Sequence, residues 1–356
     1  MPVVAKLGKR TASDAGYWAC ALEGRRNRLY AAATDSTLHV FDAARPGEPL
    51  IGRWEGHGSY VTAAAWSNPA GRLISGSFDR SLIGWTPDGK PAWRTACSAP
   101  VKQIAVSPDG STAAAVLDEL KVLLVDVETG KTLRILQGGH APRTEIGRPS
   151  TLYCAAWSPD GRRIATGDRA GDIGLWDAAT GKFERRVDGR SLYSQSLLRN
   201  PRPDASEYEW GGVRSLCYSP DGRRLFAGGM GPADQNSAGL DGLMQVLEFD
   251  AATGKALHQF SLEKSKGVLC GLTPLPDGRW LAGCGGGGGG GAGGSGTLFL
   301  WDSVGRDDAA KPLAPLIYPT AMVARDLTAT AGGKTLILVG MEKSITAGRV
   351  EWWDLA

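Results

Sequence analysis

Residues 152–182 read LYCAAWSPDGRRIATGDRAGDIGLWDAATGK. Two turn strings cut this stretch into short runs: Ser158-Pro159-Asp160-Gly161 and Thr180-Gly181-Lys182. Proline presets φ at the second turn position, Asp can bond its own backbone, and Gly tolerates positive φ, so each string predicts a tight hairpin turn. The runs between them, 152–157, 163–166 and 172–176, have β-compatible composition. The first turn recurs at Ser107-Pro108-Asp109-Gly110, Ser219-Pro220-Asp221-Gly222 and, as a variant, Leu275-Pro276-Asp277-Gly278; the second recurs at Thr129-Gly130-Lys131 and Thr253-Gly254-Lys255. Two turn chemistries alternating in this way leave little room for helices.

Outward from this stretch, one ending occurs seven times: Phe41-Asp42, Trp85-Thr86, Val125-Asp126, Trp176-Asp177, Phe249-Asp250, Trp301-Asp302 and Trp353-Asp354. Successive endings lie 44, 40, 51, 73, 52 and 52 residues apart. A unit of roughly 40 to 45 residues, lengthened by insertions and closed by Trp-Asp, resembles a blade of the WD40 β-propeller family. The resemblance implies an all-β, seven-bladed β-propeller of four-stranded antiparallel blades, with strands a to d running from the centre outward. Strand c carries the Trp-Asp ending, the Ser-Pro-Asp-Gly turn joins a to b, and Thr-Gly-Lys joins c to d. It further implies a buried tetrad of His, Ser or Thr, Asp and Trp with a structural role. Blade two matches it with His57, Ser75, Asp79 and Trp85; blade four has His140, Thr166 and Trp176 with Ala170 at the Asp position; blade one keeps Asp35 with Ala31 for the Ser.

The chain ends soon after the seventh strand c, 349–354, while residues 2–7 form an extended apolar stretch ahead of the first strand a, 17–22. Pairing that stretch outside the last strand c would close the ring and cover a free edge. The expectation is one closed domain spanning 1–356. A length of 356 would often mean two domains, but propellers grow by adding blades, and no linker separates two periodic halves. With 42% hydrophobic residues there is apolar surface for a core between blades.

A net charge of +3 gives no argument for nucleic acid. No apolar h-region follows Lys6, Lys9 and Arg10, and no run reaches the length of a membrane span. The expectation is a cytoplasmic monomer with no membrane partner, and abundant Ala, Arg and Gly point to GC-rich coding and a bacterial source. Cys20, Cys154, Cys217 and Cys270 fall in inner strands, where a small apolar side chain packs easily. The four histidines have no ligand spacing and no Cys-x-x-Cys pair occurs, so neither metal, cofactor nor disulfide is expected. The Gly-rich stretch 284–296 lacks the strand-before, helix-after context of a dinucleotide loop and is read as a b–c loop.

The extra residues fall at 138–150 and 188–212, both d–a connections, and at 230–242, 284–296 and 340–348, all b–c connections. In a propeller these connections share one face, the top, which is therefore the expected binding face. Five residues back from the Ser of each a–b turn, or its equivalent, stand Trp18, Thr62, Lys102, Tyr153, Arg214, Cys270 and Arg325. In peptide-binding members of the resembled family this position rings the channel mouth. Two aromatics and three cations there suit a protein or peptide segment bearing carboxylate or phosphate. Within the longest insertion Tyr193, Tyr208 and Trp210 either pack against neighbouring blades or anchor a lid, with Trp210 counted among the partner-binding residues. A non-enzymatic interaction scaffold with no catalytic residue is the expected function. The alternative is a small-molecule-binding or hydrolytic propeller, for which the ring offers only Asp326 as a nearby carboxylate.

Overall fold

The structure, a computed structural model, describes residues 4–144, 147–193, 211–231, 242–287, 296–305, 313–342 and 345–356. They form seven four-stranded antiparallel sheets and one short 3-10 turn, 190–192. No helix among them is long and apolar enough to cross a membrane. Blade four shows the pattern: β14 (Leu152–Trp157), β15 (Arg163–Asp168), β16 (Asp172–Asp177) and β17 (Phe183–Asp188) lie side by side in chain order.

The turns explain why the strands end where they do. In the a–b turn of this blade, Ser158 Oγ donates to Asp160 Oδ1 at 2.6 Å and accepts the Arg163 N–H at 2.9 Å, while Gly161 takes a φ of 70°. In the c–d turn, Asp177 Oδ1 accepts both the N–H (2.7 Å) and the hydroxyl (2.6 Å) of Thr180, and Gly181 sits at a φ of 73°. The Asp of the Trp-Asp ending is thus a turn cap. The same Thr-to-Asp pair recurs at Asp126–Thr129 and Asp250–Thr253, and the Thr hydroxyls hold all three carboxyls below the usual carboxylate range.

No blade has a core of its own. Seven clusters of buried apolar side chains each combine residues of two neighbouring blades. One joins Tyr30 and Leu38 of blade one to Ile83 and Trp85 of blade two; another joins Ile337 and Val350 of blade seven to Tyr17 and Leu29 of blade one. Each blade therefore buries its faces only by stacking, and the ring is one cooperative body.

The ring closes through β1 (Ala5–Ser13), which pairs antiparallel with β28 (Gly348–Leu355), the third strand of blade seven; β27 (Thr335–Met341) and β26 (Val323–Ala329) complete that sheet. The closing strand ends later than the 2–7 expected from its apolar residues, and Pro2 and Val3 lie outside the described residues. It runs to Ser13 with a register shift around Gly8, where a Cβ would collide with the Asp354 carboxylate.

Candidate functional site

In blade two the tetrad forms as a continuous chain. His57 Nδ1 bonds Asp79 Oδ2 at 2.9 Å, His57 Nε2 bonds Ser75 Oγ at 2.7 Å, and Trp85 Nε1 donates to the same Oγ at 2.7 Å. Because the indole only donates and a carboxylate only accepts, the Ser hydroxyl donates to Nε2 and Nδ1 carries the imidazole proton. Burial opposes the charge on Asp79, yet the Gly58 N–H, the Ser81 hydroxyl and His57 hold its carboxyl down to about 2. Burial also lowers the His57 pKa. This Ser is doubly hydrogen-bonded beside a fully buried Trp, the arrangement of a structural network.

Blade four corrects the sequence reading. Ala170 does stand in the turn position, but the carboxylate comes from Asp168, two residues earlier at the end of β15. Its Oδ2 bonds His140 Nδ1 at 2.7 Å, His140 Nε2 bonds Thr166 Oγ1 at 2.7 Å, and Trp176 Nε1 donates to that oxygen at 2.8 Å. Asp168 is wholly buried. Blade one, with Ala31 in place of the hydroxyl, builds another chain: the Tyr17 hydroxyl and His39 Nδ1 share a bond of 2.8 Å, and His39 Nε2 reaches Asp35 Oδ2 at 2.8 Å. His39 two residues before Phe41 was the available signal for it.

At the centre, all seven ring residues named from the sequence line one cavity of about 190 Å³: Trp18, Thr62, Lys102, Tyr153, Arg214, Cys270 and Arg325. Local backbone accounts for their convergence. In six blades the pairing of strands a and b slips by one residue, between Tyr17 and Ala19, Val61 and Ala63, Val101 and Gln103, Leu152 and Cys154, Leu269 and Gly271, and Ala324 and Asp326. The skipped residue is each time the ring residue, and a bulge re-aims the side chain it carries. In blade five Arg214 stands just ahead of its strand a, Ser215–Tyr218.

Within the ring, cations stack on aromatics. The Arg214 guanidinium lies 3.6 Å from the Tyr153 ring centre, Lys102 Nζ lies 4.6 Å from the same ring, and the Arg325 guanidinium lies 4.9 Å from Trp18. Lys102 also pairs with Asp118 at 2.8 Å. Nε and Nη2 of Arg214 and Nε1 of Trp18 are buried without a hydrogen-bond partner among the described residues. Trp210 lies outside the described residues, as do Tyr208 and most of the 188–212 insertion.

Asp326 lies beside the ring in the same cavity. Its Oδ2 accepts the N–H of Cys20 in blade one at 2.9 Å and its Oδ1 the N–H of Leu327 at 2.8 Å, so it ties blade seven to blade one on the channel side. Gln103 plays the same part between blades three and four, accepting the Ala155 N–H at 3.0 Å. Burial pushes the Asp326 carboxyl up to about 6. A carboxyl whose folded pKa exceeds its ordinary value of 3.8 favours folding most when protonated, and this contribution falls as pH rises from about 4 to 6. Asp326→Asn should therefore gain stability relative to the parent by about 2–3 kcal/mol between pH 4 and pH 7. Urea denaturation at the two pH values checks this, and an unchanged difference contradicts it.

Among the described residues no group of three His, Cys, Asp or Glu side chains is placed to hold a metal ion. Comparison with known proteins matches a family model, "WD domain, G-beta repeat", at residues 48–86, 132–177 and 207–235. The chain is 31% identical over 218 residues to the WD repeat-containing protein VIP3 of Arabidopsis thaliana, covering 57% of each chain. It is 28% identical to the small ribosomal subunit protein RACK1y of Oryza sativa subsp. japonica (50% of this chain, 47% of that one). Identity to a guanine nucleotide-binding protein subunit beta of Oryza sativa subsp. indica is 25% (59% and 53%). The chain thus spans about half the length of these relatives. All three are from plants and lend no support to the bacterial source that composition points to.

Proposed function

Because this chain is a WD40-repeat β-propeller, we propose that it is a non-enzymatic interaction scaffold, binding a protein or peptide at the top mouth of its channel. Relatives named as a ribosomal-subunit protein and a G-protein subunit fit a protein-interaction role at the general level. The observation that carries the finer reading is the ring, six of its seven residues set at bulges, which brings Lys102, Arg214 and Arg325 against Trp18 and Tyr153 in one cavity and leaves two Arg214 donor nitrogens unused among the described residues.

A cavity of about 190 Å³ takes one side chain or terminal group and not a folded element. The cations suit an acidic or phosphorylated segment, with the guanidinium forks bonding its oxygens and the aromatics holding those forks in place. The buried Ser–His–Asp chain in blade two serves packing and not turnover. We also propose a monomer working in the cytoplasm, where the six free thiols stay reduced.

The triple variant Lys102→Ala, Arg214→Ala, Arg325→Ala should lose at least about tenfold in affinity for the partner recovered from native cells, because bonds to charged groups contribute roughly 1.5–3 kcal/mol each. Its melting temperature should stay near the parent's. Asp160→Asn with Lys182→Ala, in turns of the opposite face, should bind as the parent does. Normal binding by the triple variant, with loss in the opposite-face pair, would refute the assignment.

A further inference from the structure

We propose that Asp326 makes anion binding at the channel mouth proton-coupled, so that the site takes up a proton as it takes up an oxyanion. The proposal rests on the reading of the mouth as an anion site given above, and three observations carry it. Asp326 lines the same small cavity as Lys102, Arg214 and Arg325. It is fixed there, since turning away would strip the Cys20 and Leu327 N–H groups of their acceptor. Neither of its oxygens lies within ion-pair distance of a cation among the described residues, so no described partner cancels its charge. An oxyanion held by the ring must then sit near a fixed carboxylate, and two like charges sharing a site favour protonation of one of them.

The described residues packed against Asp326 add few ionisable groups. From β2 (Tyr17–Glu23) come Trp18 and Cys20, from β22 (Val268–Pro274) Cys270, from β23 (Trp280–Gly286) Cys284, and from its own strand Arg325. Burial pushes the Cys20 and Cys284 thiols far above neutrality, so both stay uncharged. The adjoining β27 has no titratable side chain, and Asp302 of β24 (Gly296–Asp302) is engaged by Arg279. Burial also sets Asp326 itself within reach of a physiological change of pH. In the acid form the mouth carries one more net positive charge and its neutral carboxyl can donate to a bound oxygen; in the base form it repels the same oxygen.

Sulfate is the appropriate probe, because its charge is constant from pH 5 to 8. Calorimetric titration of the full chain with sodium sulfate, at constant ionic strength and in buffers of different ionisation enthalpy, reads both affinity and proton uptake. The expected result is an affinity that rises about tenfold per pH unit from pH 8 toward 6 and then levels, with close to one proton taken up at pH 7.5. Asp326→Asn should bind sulfate equally at pH 5.5 and pH 8, without proton uptake. A parent whose sulfate affinity does not vary with pH, or an Asp326→Asn variant that keeps the parent's slope, would overturn proton coupling and leave the anion reading of the mouth intact. Absence of sulfate binding at every pH, or binding unaffected by the Lys102, Arg214 and Arg325 triple variant, would overturn both.

Discussion

Removal of residues 1–13 should abolish cooperative folding. Those residues contain the whole of β1, which supplies the outer strand of blade seven and meets β28 at eight register positions, from Ala5 against Leu355 to Ser13 against Gly348. At a net contribution of about 1 kcal/mol for each backbone hydrogen bond, the loss approaches the whole stability of a domain, roughly 5–15 kcal/mol. It also leaves β28 as a long open edge, available for pairing with a second molecule. The ring makes the effect cooperative, because blade seven packs on blade one through Ile337, Val339 and Trp352, and a loosened last blade uncovers the first. The truncated chain should elute as aggregate and show no cooperative thermal transition. A synthetic peptide of residues 1–13 added during refolding should restore both. A truncated chain that stays monodisperse and melts within about 2 °C of the parent would contradict closure by this strand.

The second large effect belongs to Asp168. Replacing it with Ala leaves His140 buried without the acceptor for its Nδ1–H, at the end of a chain that runs through Thr166 to Trp176. Breaking a buried pair by removing one partner costs about 3–5 kcal/mol, since the other is left uncompensated. The corresponding substitution of Asp79 in blade two should cost less, about 1–3 kcal/mol, because its side chain keeps 14% exposure and water can replace part of what is lost. Chemical denaturation of both variants gives the order directly. Equal losses, or a greater loss for Asp79→Ala, would show that burial does not set the value of the network. Ala170→Asp, at the position where the turn of blade two carries its acid, should not rescue Asp168→Ala, because the acceptor in this blade approaches from the end of β15.

Both effects involve features that the sequence showed only in part. The closing strand was visible as an extended segment, but its bounds were not. An exposed edge strand such as Lys6 to Ala12 carries polar residues on most positions, so its periodicity is weak and the apolar residues 2–7 mark it imperfectly. Asp168 was hidden for a different reason. The spacing set by the turn of blade two points to Ala170, whereas an acid at the end of strand b reaches the same His from a neighbouring backbone position. In blade one the hydrogen-bonding His moved into strand c, as His39, where no spacing rule derived from His57 could find it.

The sequence by itself determined the number of blades, the strand content of each, the turn chemistry and the channel register. All of these rest on contacts within a few residues: Asp177 capping Thr180, Ser158 and Asp160 closing a tight turn, and one ring residue at a constant offset from each such turn. Only the tertiary structure decided how residues far apart in the chain complete one another. Asp326 binds the Cys20 N–H across 306 positions, Gln103 binds Ala155 across 52, and the cations of three blades share one cavity with the aromatics of two. The physical reason is that a blade buries nothing alone. Its apolar faces, and channel-side groups such as Asp326 and Gln103, find their partners on the next blade, and which residues meet across that seam depends on the bulges and stagger of two sheets, which no local spacing encodes.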